Sequence, residues 1–124
     1  MEKAPAKGGE FLLVSGALPD AGPDDLIGIY DREKAREPRT AAVLLGTAGE
    51  KVSVLVAVTP VLAKAGADAR QVFAAGSAAI AGRGGGRPEM VRGSGTRAAG
   101  VPEALAAMTA KVREMLASPG KRTD

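Results

Sequence analysis

Apolar positions along the chain recur at two periods, and each period marks an element. Val52, Val54, Val56 and Val58 fall at every second position, with Ser53, Leu55 and Ala57 between them. Such alternation predicts a strand. Both sets are largely apolar, so the strand is expected to be central and covered on both faces. Thr40 to Leu45 is a matching run across Gly46-Thr47-Ala48-Gly49-Glu50, and the two runs predict a hairpin. Glu10-Phe11-Leu12-Leu13-Val14, closed by Ser15-Gly16, predicts a short edge strand, and Leu18 to Pro23 is a turn-rich joint. Met90-Val91-Arg92 predicts one more short strand between two glycine loops, Gly82 to Gly86 and Gly93 to Thr96.

Helical spacing appears in three long stretches. Pro23-Asp24-Asp25 opens the first, because proline suits a first turn and carboxylates suit the positive end of the helix dipole. Leu26, Ile27 and Tyr30 share a face there, and Glu37-Pro38 ends the helix. Thr59-Pro60 caps a short helical turn through Lys64. Asp68 caps the second helix, whose Val72, Phe73, Gly76, Ala79 and Ile80 form a core face, with Gly76 and Ala79 small enough to let it lie close on the sheet. Gly100-Val101-Pro102 introduces the last helix, which buries Leu105, Met108, Val112, Met115 and Leu116 and ends at Ser118-Pro119-Gly120.

The order is therefore β-α-β-β-α-β-α. It predicts an α/β fold, a two-layer sandwich with a mixed sheet of about four strands and about three helices. Residues 10–117 are expected to form a single domain, between a flexible lead-in at 1–9 and a flexible tail at 118–124.

Composition narrows the chemistry. The chain has no cysteine and no histidine, which excludes disulfides, thiolate metal sites and His-based acid–base catalysis. No carboxylate pair stands in a pocket-like context, and Asp24, Asp25 and Asp31 read as dipole partners of a helix start rather than metal ligands. No catalytic residue, metal or cofactor is assigned. Phe11, Phe73 and Tyr30 are the whole aromatic set, too few for base stacking on aromatic platforms. No stretch has the length and apolarity of a signal peptide core or a membrane span, so the cytoplasm is the expected location.

The net charge is only +3, but its distribution is uneven. Arg83, Arg87, Arg92 and Arg97 stand against Glu89 alone between residues 82 and 97. That segment holds Gly82-Arg83-Gly84-Gly85-Gly86-Arg87-Pro88-Glu89, whose glycines expose main-chain N–H groups and whose arginines attract anions. A nucleotide phosphate loop would require Gly-Lys-Ser/Thr where Gly86-Arg87-Pro88 stands, and proline donates no N–H. Gly93-Ser94-Gly95-Thr96-Arg97-Ala98 fits the loose dinucleotide pattern, but only one helix follows it before the end of the sequence. Two readings stay open. Either the glycines serve tight packing and the arginines are merely solvated, or Arg83, Gly84, Gly85, Gly86, Arg87 and Arg92 bind the sugar-phosphate backbone of RNA without reading sequence. Lys51, Lys64, Arg70 and Arg97 are candidates to extend that patch.

From about Val43 onward the chain resembles the C-terminal, DHH-associated domain of alanyl-tRNA synthetase. The residues that carry the resemblance are the hairpin Val43 to Val58, the signature Gly82 to Glu89 and the helix opening Pro102-Glu103-Ala104-Leu105. Arg92 departs from the pattern, standing where a glutamine is usual. DHH phosphodiesterases share this accessory domain, but their glycine run leads into a histidine, where Arg87-Pro88 stands here. Their Asp-His-His motif is missing, as is the His/Cys zinc site of the synthetase editing domain. The resemblance implies a domain without catalysis of its own that holds tRNA, with tRNA-Ala the expected one, and assists aminoacylation and editing by other domains of the synthetase. The alternatives are a dimerisation or docking module, or the substrate-binding half of a DHH-type phosphodiesterase.

Overall fold

The computed structural model describes residues 2–6 and 9–116, with side chains from Glu10 onward. Six strands form one mixed sheet in the order β1-β2-β3-β4-β6-β5. The strands are β1 (Glu2–Ala6), β2 (Gly9–Pro19), β3 (Thr40–Ala48), β4 (Lys51–Val58), β5 (Arg83–Arg87) and β6 (Met90–Gly95). The helices are α1 (Pro23–Arg36), α2 (Pro60–Lys64), α3 (Ala69–Gly76) and α4 (Val101–Leu116). The α/β class and the mixed sheet are as the sequence predicts. The strand count is higher because β1 and β5 arise from segments with no apolar alternation, and the short turn predicted through Lys64 makes a fourth helix, α2.

β2, α1 and β3 make the parallel unit of the sheet, with Leu12 paired to Thr40 and Pro19 to Thr47. All other neighbours are antiparallel. β2 is longer than the predicted edge strand, running through Ser15-Gly16 to Pro19, and β1 lies outside it. Residues 2–6, within the stretch read as a lead-in, are thus strand; residues 118–124, read as a tail, lie outside the described residues. The β3–β4 connection is tighter than the five-residue loop predicted. Ala48 pairs with Lys51, which leaves Gly49-Glu50 as the turn, and Gly49 takes a left-handed φ of 64°.

β4 sits between β3 and β6 and serves two cores, as its double alternation predicts. Val52, Val54, Val56 and Val58 face α2, α3 and α4, together with Phe11, Val72, Phe73, Ile80, Val91 and Met108. Leu55 and Ala57 face the other way, with Leu26 and Tyr30 of α1, Ala42 and Leu44. Helices therefore lie on both faces of the sheet. Where the sequence predicts two layers, α1 supplies a third on its own side.

Local details follow from small residues and caps. Asp68 accepts a hydrogen bond from the Arg70 amide at 2.9 Å and so caps α3 as predicted. α3 ends at Gly76 and tightens into a 3-10 turn at Ser77–Ile80, earlier than the apolar spacing predicts. A β-carbon on Gly76 would stand 2.7 Å from the Ala104 carbonyl oxygen, so this glycine lets α3 approach α4 rather than the sheet. The buried face of α4 is Val101, Ala104, Met108, Val112 and Leu116, with Leu105 and Met115 only flanking it.

Candidate nucleic-acid interface

The glycine segment is a strand, not a loop. β5 is an outer strand of the sheet, exposed at all five positions, and it turns at Pro88-Glu89 into β6. An extended backbone points successive N–H groups to opposite sides, so it does not converge them on one anion as a loop can. The predicted main-chain phosphate cradle is absent from this conformation. What remains is the arginine pattern.

Strand alternation places Arg83, Gly85 and Arg87 on one face and Gly84 and Gly86 on the other. The register sets Arg92 directly opposite Gly85, Arg83 opposite Ser94 and Arg87 opposite Met90. Met90 packs with the α1 core half and Val91 with the other half, which fixes the faces. Arg83, Arg87 and Arg92 thus stand together on the α1 side of the sheet. Arg83 and Arg87 are diagonal neighbours of Arg92, at about 7–8 Å between backbones. α1 covers β3 and β4 and leaves this corner open. All three arginines are exposed, and none of their guanidiniums has an ion pair or hydrogen bond among the described residues.

The three glycines have different reasons to be there. A β-carbon on Gly84 would stand 2.6 Å from the Arg92 carbonyl oxygen, and one on Gly86 would run into the Met90 carbonyl oxygen. Both are required by the close approach of β6. A β-carbon on Gly85 would meet nothing within 4 Å. Tight packing therefore explains Gly84 and Gly86, and it leaves Gly85 as a bare spot between three arginines.

The wider set of cations divides. Lys51 begins β4 on the same face as Ser53 and Leu55, is exposed, and lies beside Ser94 and Thr96, so it joins the arginine face. Arg70 lies on the opposite side, lining a hollow of about 270 Å³ with Phe73, Gly84, Gly85, Gly86 and Val91. Its guanidinium is engaged with Asp68, Nε to Oδ1 at 3.1 Å and Nη2 to Oδ2 at 2.9 Å. That hydrogen bonding and charge hold the Asp68 carboxyl below its usual range and raise the Arg70 guanidinium further. Arg97 donates Nη1 to the Ala79 carbonyl at 2.6 Å, a clip between the segment after β6 and the 3-10 turn. Lys64 is exposed on α2, whose Leu62 packs in the core half of α3 and α4, so it belongs to the other layer. Of the four extension candidates, only Lys51 shares the face of the triad. Sequence reasoning missed Ser53, Ser94 and Ile27 beside it, although hydroxyls interrupting apolar strands were the available signal.

With this geometry in place, the DHHA1 domain family matches residues 9–114. The chain belongs to that family. The DHHA1 region starts well before Val43, where the sequence resemblance begins, and takes in β2 and α1. The alanine–tRNA ligase of Latilactobacillus sakei is 37% identical over 99 residues, covering 80% of this chain and 11% of that protein. The alanine–tRNA ligase of Nocardia farcinica is 37% identical over 110 residues, covering 86% of this chain and 12% of that protein. The chain thus spans about a ninth of the length of these curated relatives. The C-Ala domain from Aquifex aeolicus alanyl-tRNA synthetase has the same fold, with a TM-score of 0.73 at 20% identity over 95% of this chain and all of that one.

Proposed function

We propose that this DHHA1 domain is the RNA-holding part of an alanine–tRNA ligase-type system, without catalysis of its own, working in the cytoplasm. It binds the sugar-phosphate backbone of tRNA, tRNA-Ala by analogy with its relatives, and presents it to aminoacylation and editing domains. The observation that carries this reading is the exposed triad Arg83, Arg87 and Arg92 on one face of a hairpin, without acidic partners among the described residues. Guanidiniums at that spacing bind phosphates without selecting bases. Gly85 keeps the surface between them flat.

The test is tRNA binding across a salt series. Each phosphate contact releases counterions and contributes about 0.7 to 0.9 to the slope of log K against log salt. Arg83→Ala with Arg87→Ala should reduce the slope magnitude by about 1.4 to 1.8. An unchanged slope in the folded double variant refutes the reading.

A docking module is the second reading, and the outer edge of β5 favours it. Edge strands present unpaired N–H and C=O groups that can join another strand. Pairing with a second copy of β5 would bring arginines against arginines, which opposes self-association at this edge. Sedimentation of the chain separates the readings, since a dimer indifferent to tRNA supports docking. The phosphodiesterase reading has Arg87-Pro88 against it.

A further inference from the structure

The face that carries the triad also holds a groove. It runs along β4 and β6 beside α1, as two adjoining hollows of about 500 and 270 Å³. The larger is lined by Lys51, Ser53, Ser94 and Thr96, and by Asp20 and Pro23 at the start of α1. The smaller is lined by Pro23, Ile27, Leu55 and Arg92. Lys51 and Arg92 lie at opposite ends, because Lys51 precedes the Val52–Gly95 pair and Arg92 pairs with Leu55. Four residues of strand separate those positions, about 13 Å.

We infer that this groove holds one unpaired nucleotide of the bound RNA. The inference rests on the RNA reading above and adds a site to it. The polar end offers a cation and three hydroxyls to a phosphate and ribose, the partners such groups require. The apolar end offers the half-buried Ile27 side chain beside the exposed Arg92 guanidinium, and unstacked bases are held on guanidinium planes as well as on aromatic rings. The volumes suit a small-molecule-sized ligand and are too small for a duplex. The start of α1 contributes little attraction, because the Gly22 amide is already bonded to Asp25 Oδ2 at 2.9 Å and Asp20 and Asp24 stand nearby. Lys51 and Arg92 are the cations that define the site.

The probes are AMP, a short oligoadenylate and a blunt RNA duplex with the same number of phosphates. AMP should shift the backbone amide signals of residues 51–55 and 92–96, and the single strand should outcompete the duplex. Ser94→Phe fills the larger hollow and leaves every cation in place. It should weaken AMP and oligoadenylate about tenfold and lower the tRNA salt slope by no more than the one phosphate contact at Lys51, about 0.7 to 0.9. If the Ser94 variant does not fold, Lys51→Ala decides, with the same expected loss of AMP. Unchanged AMP binding in the folded variant, or equal binding of duplex and single strand, overturns the groove. Should Arg83→Ala with Arg87→Ala still reduce the tRNA slope in that case, the RNA reading stands and only the nucleotide site fails.

Discussion

Three alanine substitutions in one strand separate packing from binding. At Gly84 the new β-carbon would lie 2.6 Å from both the Arg92 carbonyl oxygen and the Gly93 α-carbon, and at Gly86 it would meet the Met90 carbonyl oxygen. These neighbours are backbone, so no side-chain rotation relieves the contact and β5 must move off β6. Overpacking of this kind costs about 1–3 kcal/mol. For a domain of this size each kcal/mol lowers Tm by roughly 3–6 °C. Gly84→Ala and Gly86→Ala should therefore melt roughly 3–18 °C lower than the wild type by circular dichroism, with faster amide exchange at Val91 and Gly93. Gly85→Ala meets no atom within 4 Å. It removes strand glycine entropy of about 0.5–1 kcal/mol, so its Tm should stay level or rise. Its tRNA salt slope should match the wild type, since the arginines are undisturbed. A Gly85→Ala loss equal to that of Gly84→Ala would refute the register and the argument built on it.

Other consequences are open to measurement. The Asp68 carboxyl is depressed mainly by its hydrogen bond with Arg70, so its contribution is present above the ordinary carboxylate range and lost as pH falls through and below it. Asp68→Ala should cost about 1 kcal/mol at neutral pH through the lost cap, a difference that shrinks in acid; Asp68→Asn should keep much of the cap and lose the pH dependence. Tyr30 is pushed up to about 12, first by burial and then by Asp31. Because it is the only tyrosine and there is no tryptophan, an absorbance titration should show no ionisation near 10 in the folded chain. Its stabilising effect is complete below pH ~10 and fades as pH rises toward 12. Gly76→Ala should loosen α3 from α4 at a cost of about 1–3 kcal/mol, read as a lower midpoint in urea, because the new β-carbon meets Ala104 backbone at 2.7 Å.

Much of this fold was legible where side chains carry a period. The limits of α1 follow from Pro23 and Glu37-Pro38, and the double apolar alternation of β4 foretells a strand with a core on each side. The glycine segment was the opposite case. Glycine has no side chain to alternate, so a strand built from Arg83-Gly84-Gly85-Gly86-Arg87 looks like a loop until β6 is placed against it. That pairing is a contact between backbones, which composition does not record. The role of Gly76 is hidden for a related reason, since its smallness is visible in sequence but its neighbour Ala104 is not. The arginines were found from their charge; only the register showed that Arg83, Arg87, Arg92 and Lys51 share a face and Arg70 does not.

The β5–β6 hairpin is fastened at both ends. At its base the Ile80 carbonyl accepts the amides of Thr96 and Arg97, at 3.0 and 3.1 Å. At its tip Val58 donates to the Glu89 carbonyl at 2.9 Å and Ala69 donates to the Pro88 carbonyl at 2.8 Å. Ordering a glycine residue costs about 1–2 kcal/mol of backbone entropy, and here that cost falls on folding rather than on recognition. A ligand arriving at the arginines meets a platform already in shape. Its association should be limited by charge and diffusion, with no slow ordering phase and little of the unfavourable binding entropy that a glycine loop would impose.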